Sequence, residues 1–205
     1  MEVKIGRELR TLQHVKRWAM IRTIRTQTVA EHSLMVAFLV DRFGAYLDTK
    51  VKYFLDRLET NRDRLARKAA YHDLGEILSG DLAHPAKTAY RAVPGAKEEY
   101  IAWEERRLVE RFPWIGGNEY AATKDERMII GLMDMLEANL FLMEEQRLGN
   151  SEVNAILAAV GAKLFEAVDH FEKVYGVEVK PFCLAACHEV LFSCDTVVHN
   201  YQPGV

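Results

Sequence analysis

The sequence has few cysteines and prolines, no excess of positive charge and no long hydrophobic run. It contains 3 cysteines and 5 prolines in 205 residues, and its formal net charge at pH 7 is -3. Proteins that bind nucleic acid polymers generally carry a strong basic excess, which this chain lacks. The most apolar stretch, Met128 to Met143, is interrupted by acidic residues and is too short to span a bilayer. The composition therefore argues against a nucleic acid polymer or a membrane as partner.

The cysteines and the N-terminus predict a cytoplasmic protein. Cys183, Cys187 and Cys194 share one face of a predicted helix, and free cysteines are among the most often buried residues. We therefore interpret them as reduced packing residues, which are typical of the cytoplasm. The N-terminal stretch MEVKIGRELR lacks the apolar core of a secretory signal peptide.

The length of 205 residues predicts a single domain over residues 1–205. A chain of this size buries enough apolar surface to fold without disulfide bonds or a structural metal ion. If the protein binds a metal ion, we therefore expect that ion to serve chemistry rather than folding.

Apolar residues recur with the period of an α-helix in almost every segment, and no run alternates with a period of two. The sequence therefore predicts an all-α fold. The predicted helices cover residues 5–16, 29–47, 62–74, 96–112, 125–148, 151–175 and 182–196. Thr28 and Glu31 match a capping box, in which two side chains satisfy free backbone N–H groups at the start of a helix.

Four residues in three of these helices are candidates for a metal site. His32 follows the capping box. An isolated histidine at such a position is at least as often a surface or capping residue as a metal ligand. His72 and Asp73 end an apolar helix, and Asp134 lies within MIIGLMDMLEANLFLM. A carboxylate among so many apolar residues must be paired, protonated or bound to a metal ion. Each residue taken alone is equally consistent with a structural ion pair.

Together, the two imidazoles and two carboxylates form a mixed set of nitrogen and oxygen donors, which suits Mn, Co, Fe, Ni, Zn or Mg. Such an ion lowers the pKa of bound water and neutralises charge on a phosphoryl oxygen. Three helices can converge on one point, so the separated positions of these residues are compatible with a single site. The pattern indicates a metal-dependent hydrolase.

The order His32, His72-Asp73 and Asp134 resembles the H…HD…D pattern of the HD-domain phosphohydrolases. More closely, the chain resembles the bacterial YfbR-like 5′-deoxynucleotidases. The matching stretches are RWAMIRTIRTQTVAEHSLMVAFLV at 17–40, AAYHDLGEILSGDLAHPAK at 69–87, EEYIAWE at 98–104 and the helix that contains Asp134. The resemblance covers residues 8–147, and it is specific because several motifs occur in the same order.

This resemblance implies an HD-domain helical bundle, usually a homodimer, that binds one divalent metal ion such as Co, Mn, Zn or Mg. Its metal ligands would be His32, His72, Asp73 and Asp134. Histidines that bind a second ion in other HD enzymes are not evident after His72, with His84 the one candidate. One ion is therefore expected.

The resemblance also implies roles for five residues near the ion. Glu76 would be catalytic, orienting or activating the attacking water, and Asp81 would act in catalysis and substrate binding beside the ion. Arg17 and Trp18 would contact the phosphate and the sugar, with the Trp18 ring disfavouring a ribose 2′-hydroxyl. Lys87 matches a basic residue at the substrate site. The cationic donors of Arg17 and Lys87 suit phosphate on physical grounds.

Two positions depart from the family pattern, since Ala19 and His84 stand where YfbR-like proteins commonly have proline and threonine. Both positions border the substrate, so base preference and phosphate-chain length stay open. We predict hydrolysis of a 2′-deoxynucleoside 5′-monophosphate to a deoxynucleoside and phosphate. The alternatives are a dNTP triphosphohydrolase of the dATP type, which releases triphosphate, and a nucleotide-binding regulatory protein without catalysis.

Overall fold

A computed structural model of the protein describes residues 9–81, 93–116 and 120–192. Within these residues the chain is helical, and the one β pairing is an isolated antiparallel bridge between Lys16 and Thr28. The described α-helices are α1 (Val29–Lys50), α2 (Phe54–Arg57), α3 (Arg62–Ala70), α4 (Glu76–Ser79), α5 (Ala96–Arg111), α6 (Lys124–Arg147), α7 (Asn154–Tyr175) and α8 (Lys180–Phe192). Short 3-10 helices lie at Arg10–Gln13, Pro113–Gly116 and Ser151–Val153. The all-α prediction is confirmed.

The two longest helices that reach the candidate site, α1 and α6, begin with the same side-chain cap. The Thr28 hydroxyl accepts from the Glu31 N–H at 3.2 Å, and the Thr28 N–H donates to the Glu31 carboxylate at 2.7 Å. Thr123 and Glu126 repeat this capping box at the start of α6. Helix α7 ends at Tyr175, before Gly176, whose φ of 66° would strain the backbone of most other residues. The predicted capping box at Thr28 and the predicted end of the helix at residue 175 are confirmed.

The central helices of the bundle are α1 and α6. Helix α1 packs against α3 and α6, and α6 also packs against α7 and α8. The core between them includes Val40, Phe43, Leu47, Leu65, Met133, Leu136 and Phe171. Each fully buried side chain of this kind contributes about 1.5–3 kcal/mol relative to exposure. The helices that carry His32 and Asp134 are therefore held by the main core.

Two predicted helices are shorter in the structure, and one observed helix is not predicted. Residues 5–16 are described only from residue 9, and their helical part is the 3-10 helix Arg10–Gln13. The prediction of a helix through residue 74 is wrong, because α3 ends at Ala70. The N–H groups of Tyr71 and His72 bond to carbonyls three residues back, which tightens the last turn and ends the α-helix. Helix α2 is not predicted, since four residues are too few for a periodic pattern.

The cysteines behave as packing residues where the structure describes them. Cys183 is buried and Cys187 is half-buried, and both are free thiols. Burial raises the pKa of the Cys183 thiol to about 12, so this thiol is unreactive at neutral pH. Cys194 lies outside the described residues. Among the helices of the described ranges, none combines the length and the apolar character needed to cross a bilayer.

Candidate metal centre

His32 lies in the first turn of α1 and points into the protein interior. The capping box ends the extended segment at Thr28 and starts the helix at Val29, which brings position 32 round to the buried face. The His32 side chain is fully buried. This burial excludes a surface or capping role for the imidazole.

His72 and Asp73 lie in the turn between α3 and α4. The Nδ1–H of His72 donates to the carbonyl oxygen of Ala69 at 2.6 Å, and a carbonyl can only accept. The proton on Nδ1 leaves a lone pair on Nε2, which faces the neighbouring carboxylates. The early end of α3 thus helps to orient the His72 ring.

The structure brings His32, His72 and Asp134 into one group of potential ligands, with Asp73 beside the two histidines. The Nε2 atom of His32 lies 3.0 Å from Asp134 Oδ1 and 3.5 Å from Asp73 Oδ2. The Nε2 atom of His72 lies 3.3 Å from Asp73 Oδ2. One ligand atom each from His32, His72 and Asp134 lies within 4.8 Å of the other two. Only small adjustments are needed for such atoms to bond one ion at about 2.0–2.2 Å.

The donor atoms fit a divalent cation. The Nε2 atoms of His32 and His72 are buried and make no hydrogen bond to any residue that the structure describes. Buried polar atoms are nearly always satisfied by a partner, and one cation would satisfy both nitrogens. Two nitrogens and two carboxylate oxygens also match the ligand preferences of the predicted ions. The ligand roles of the four residues stay predictions that this geometry supports.

Burial and neighbouring charges shift the pKa values of these groups in directions that reflect an excess of negative charge. Burial alone lowers the pKa of His72, but the close Asp73 carboxylate and the charge of Asp134 outweigh it and raise the pKa to about 9. Burial alone would raise the pKa of both carboxyl groups, yet the imidazoles of His72 and His32 lower the pKa of each. Charges that hold a proton on His72 also attract a cation that can replace it.

Glu76 lies beside this centre. It is the first residue of α4, is 7% exposed and lines a cavity of about 130 Å³. The other lining residues are His72, Asp73, Gly75, Ser79, Gly80, Tyr100 and Glu104. This volume is that of roughly four water molecules, so it admits a water and a phosphoryl group, while a nucleoside would extend beyond it. A side chain at Gly75 would collide with the Glu104 carboxylate, so glycine lets α5 close one wall of the cavity.

Arg17 reaches the same centre from the segment that precedes α1. Its guanidinium nitrogens lie 4.0 Å from Asp134 Oδ1 and 3.6 Å from Glu137 Oε2. The Nη1 atom is buried and makes no hydrogen bond within the described part of the chain. A largely buried guanidinium with an N–H group that can donate a further hydrogen bond is suited to bind an anionic ligand.

Trp18 is held in place by three neighbours. Its backbone has a φ of 62°, which tryptophan rarely adopts. Its ring stacks on Phe141 with a centroid separation of 5.7 Å, and the Arg17 guanidinium lies 5.6 Å from the ring centroid. The indole Nε1–H donates to Gln27 Oε1 at 2.8 Å. The ring is therefore fixed beside the metal centre, with part of its surface exposed.

Glu145 ties the segment after Trp18 to α6. Its carboxylate accepts from the N–H groups of Ile24 and Arg25 at 2.6 and 2.8 Å, and from the Asn150 side chain at 2.9 Å. Burial alone would raise the pKa of Glu145, but these hydrogen bonds outweigh it and lower the pKa. The carboxylate therefore stays ionised and braces a segment that has no regular secondary structure.

Glu137 is a functional candidate that the sequence analysis does not identify. It lies one turn beyond Asp134 on α6 and is 5% exposed. One carboxylate oxygen accepts from the Nδ1–H of His32, and the other accepts from Gln27 Nε2 at 2.7 Å. The available sequence signal is its spacing of three residues from Asp134, which puts both carboxylates on one face of the helix.

The geometry of the site does not test the roles of two predicted substrate residues. Asp81 is half-buried and follows Gly80, which lines the cavity. Lys87 lies outside the described residues, as does His84. The roles of Asp81 and Lys87 stay predictions.

A helical bundle in which His, His-Asp and Asp side chains meet in this order along the chain defines the HD-domain class of metal-dependent phosphohydrolases. A sequence model of the family described as 5′-deoxynucleotidase YfbR-like matches residues 6–181. The chain belongs to this family, as its sequence motifs predict.

Named relatives agree with the family match. The 5′-deoxynucleotidase of Photorhabdus laumondii is 32% identical over 180 residues, which cover 82% of this chain and 88% of the relative. The 5′-deoxynucleotidase YfbR of Shigella dysenteriae is 30% identical over 180 residues, with coverage of 82% and 87%.

A solved structure confirms the HD fold. The cyanophage S-2L HD phosphohydrolase DatZ, described as bound to dA and one catalytic Zn²⁺ ion, superposes with a TM-score of 0.61 at 22% sequence identity. The superposition covers 94% of this chain and 95% of DatZ. The similarity extends over nearly the whole of both chains, so the two proteins share one architecture.

Proposed function

We propose that this protein is a metal-dependent phosphohydrolase that converts 2′-deoxynucleoside 5′-monophosphates to a deoxynucleoside and phosphate. The observation that carries the proposal is the meeting of His32, His72, Asp73 and Asp134 beside the cavity that Glu76 lines. The family supports the substrate class, because its named relatives are 5′-deoxynucleotidases. The deoxyadenosine bound to DatZ supports a deoxyribose ligand for this fold.

In this proposal the four ligand residues hold one divalent cation, such as Co, Mn, Zn or Mg. A bound cation supplies Lewis-acid chemistry, since it lowers the pKa of water and neutralises charge on a phosphoryl oxygen. The Zn²⁺ ion named for DatZ supports zinc among these candidates. The buried Nε2 atoms of His32 and His72 support a single ion between the two rings.

Glu76 would accept a proton from the attacking water as the new bond between oxygen and phosphorus forms. The bond between phosphorus and the 5′ oxygen breaks, and the leaving oxygen takes up a proton. A general base must lie within hydrogen-bond reach of the proton that it removes. The buried position of Glu76 in the cavity that His72 and Asp73 also line supports this role.

The remaining predicted residues would bind the substrate. Arg17 would neutralise charge that develops on the phosphoryl oxygens, the dominant requirement in phosphoryl transfer. Trp18 would lie against the sugar and disfavour a 2′-hydroxyl, and its fixed ring supports such a steric role. Asp81 and Lys87 would complete the substrate site. A nucleoside would then lie outside the small cavity, on the side of Trp18.

We also propose that the protein is a homodimer. A groove of about 910 Å³ between α1, α6 and α8 is lined by apolar side chains, including Leu34, Met35, Leu140, Ala186 and Val190. Leu34 and Met35 are 52% and 46% exposed, and clustered apolar exposure of this kind usually marks an interface. Light scattering should give twice the chain mass, and Met35→Glu should give the monomer mass. A wild-type monomer would contradict the dimer.

Residues 1–205 would form one domain in the cytoplasm. The family match over residues 6–181 supports one domain for most of the chain. The free thiols of Cys183 and Cys187 support a reducing compartment.

Substrate profiling with metal add-back tests the proposed activity. Metal-stripped protein is incubated with each dNMP, NMP and dNTP after addition of Mn²⁺, Co²⁺, Mg²⁺ or Zn²⁺ singly, and phosphate is separated from triphosphate. We expect phosphate from dNMPs, much slower release from NMPs and no turnover without metal. An Asp73→Asn and Glu76→Gln double variant controls for contaminating phosphatases.

The other outcomes distinguish the alternatives. Release of triphosphate from dATP without turnover of dAMP would show that the protein is a dNTP triphosphohydrolase rather than a monophosphatase. Nucleotide binding without turnover under any metal would instead indicate a regulatory protein and contradict the proposal.

A further inference from the structure

We propose that Glu137 positions the metal ligand His32 and, through Gln27, also holds the Trp18 ring, so that one buried carboxylate serves both metal binding and sugar recognition. The part that concerns Trp18 rests on the proposed function. The part that concerns His32 depends only on the metal centre.

Glu137 contacts the predicted metal ligand His32. An imidazole presents a lone pair on Nε2 only when the proton is on Nδ1. Glu137 accepts from the Nδ1–H of His32, on the side of the ring opposite to Asp134. Because His32 is fully buried and Glu137 is 5% exposed, water does not compete easily for this contact. Outer partners of this kind fix the tautomer and orientation of ligating histidines, and their loss weakens metal binding by about 10- to 100-fold.

Gln27 connects Glu137 to the Trp18 ring through two hydrogen bonds. Its Nε2 donates to Glu137 Oε1 at 2.7 Å, and its Oε1 accepts from Trp18 Nε1–H at 2.8 Å. Tryptophan can only donate and a carboxylate can only accept, so the orientation of the Gln27 amide is determined. Gln27 is 7% exposed, and its hydrogen bond to Glu137 is buried while its hydrogen bond to Trp18 is partly buried. The Trp18 ring and the His32 ring thus share Glu137 as their common support.

Position 137 requires a carboxylate because it must accept two hydrogen bonds. Glu137 receives two donors, Gln27 Nε2 and His32 Nδ1–H, one on each oxygen. A glutamine at position 137 would have the same shape but only one accepting atom, so one donor would face another donor. The Arg17 guanidinium, 3.6 Å from Glu137 Oε2, adds a positive charge beside this carboxylate.

Metal titration of variants tests the role toward His32 without reference to the substrate. Metal-free wild type, Glu137→Gln and a control variant, Glu166→Gln, are titrated with Zn²⁺ by calorimetry, and the Co²⁺ absorption spectrum reports the ligand geometry. Glu166 is an exposed residue of α7. We expect Glu137→Gln to lower Zn²⁺ affinity by about 10- to 100-fold and to shift the Co²⁺ bands, while Glu166→Gln matches wild type. Wild-type Zn²⁺ affinity in a folded Glu137→Gln protein would overturn the proposal.

A second variant, Gln27→Leu, tests the relay to Trp18. We expect it to bind Zn²⁺ much more tightly than Glu137→Gln does, but to discriminate less between dNMP and NMP substrates than wild type. Unchanged discrimination would overturn the role of Gln27. If wild type hydrolyses no deoxynucleotide, the proposed function fails, while the Zn²⁺ titration still decides the role of Glu137.

A third variant covers the case in which Glu137→Gln does not fold. Glu137→Asp keeps the charge but withdraws the carboxylate by one methylene from the His32 ring. Its Zn²⁺ affinity should again fall below that of wild type, and an unchanged affinity would overturn the positioning role.

Discussion

Asp134 and Glu137 lie one helical turn apart on α6 and contact opposite nitrogen atoms of a single imidazole ring. The ring belongs to His32, whose Nε2 is 3.0 Å from Asp134 and whose Nδ1–H donates to Glu137. One helix thus presents both a predicted metal ligand and the group that orients another predicted ligand.

Removal of Asp134 should reduce metal binding. Asp134→Ala removes one of the two carboxylates of the centre. Loss of a residue that only orients a ligand weakens metal binding by up to roughly 100-fold, and we expect the loss of Asp134 to weaken it further. Elemental analysis of the purified protein measures the metal content. Asp169→Ala, which removes an exposed aspartate of α7, should leave that content unchanged. Full occupancy in Asp134→Ala would rule out Asp134 as a ligand.

Glu76→Gln should separate chemistry from binding. The amide keeps the shape of the side chain but cannot accept the proton of water, so turnover should fall by about 10²- to 10⁴-fold. Metal content and substrate affinity should stay close to wild type, as measured by elemental analysis and calorimetry. Glu99→Gln, on the exposed face of α5, is the matched control. A wild-type rate in Glu76→Gln would remove its catalytic role.

Trp18→Ala should relax the preference for deoxyribose. Removal of the indole opens space beside the sugar, so the ratio of kcat/KM for dNMP over NMP should decrease. Trp18→Phe preserves stacking on Phe141 and should retain more of the preference than Trp18→Ala. Trp103→Ala removes a ring of α5 that is 39% exposed and should leave the ratio unchanged. The same ratio in wild type and Trp18→Ala would make Trp18 a packing residue.

The ion pair between Lys68 and Glu126 joins α3 to α6. Lys68 Nζ lies 2.5 Å from Glu126 Oε2 and 2.7 Å from the Ala121 carbonyl oxygen, and both side chains of the pair are buried. Lys68→Met would leave the buried carboxylate paired with the more exposed Arg64, whose Nε lies 3.2 Å from Glu126 Oε1, so the free energy of unfolding should fall by at most about 3–5 kcal/mol. Urea denaturation measures this change, with the exposed Lys173→Met as control. Equal effects of the two substitutions would contradict a role for the pair in stability.

The same pair should make stability depend on pH. Burial alone would raise the pKa of Glu126, but hydrogen bonds from Lys68, the Thr123 backbone and Thr60 outweigh it and lower the pKa below 4.5. A carboxyl group with a lower pKa in the folded state stabilises the protein at neutral pH, and this contribution is lost as pH falls through the folded pKa. Urea denaturation from pH 7 into the acid range should therefore give a shallower loss for Glu126→Gln than for wild type. Equal slopes would show that Glu126 contributes nothing to the acid sensitivity.

Some parts of the site can be predicted from local sequence patterns, while others depend on how distant segments pack together. The helices follow from the apolar period, and His72, Asp73 and Asp134 stand out because each is a polar group in an apolar setting. The hydrogen bond between Gln27 and Glu137 joins residues that are 110 positions apart, and it depends on the orientation in which α1 and α6 pack. The end of α3 at Ala70 could not be predicted from the sequence either, because tertiary contacts rather than apolar periodicity decide where the last turn tightens.

Four side chains on one stripe of α6 support different parts of the site. Asp134 and Glu137 contact His32, Phe141 stacks on Trp18, and Glu145 braces the segment that follows Trp18. Their spacings of three, four and four residues keep them aligned, since each added residue turns an α-helix by about 100°. A one-residue insertion between Asp134 and Phe141 would rotate Phe141 and Glu145 off the stripe together. A change in the number of residues between these four positions would therefore disturb the support of His32 and of Trp18 at the same time.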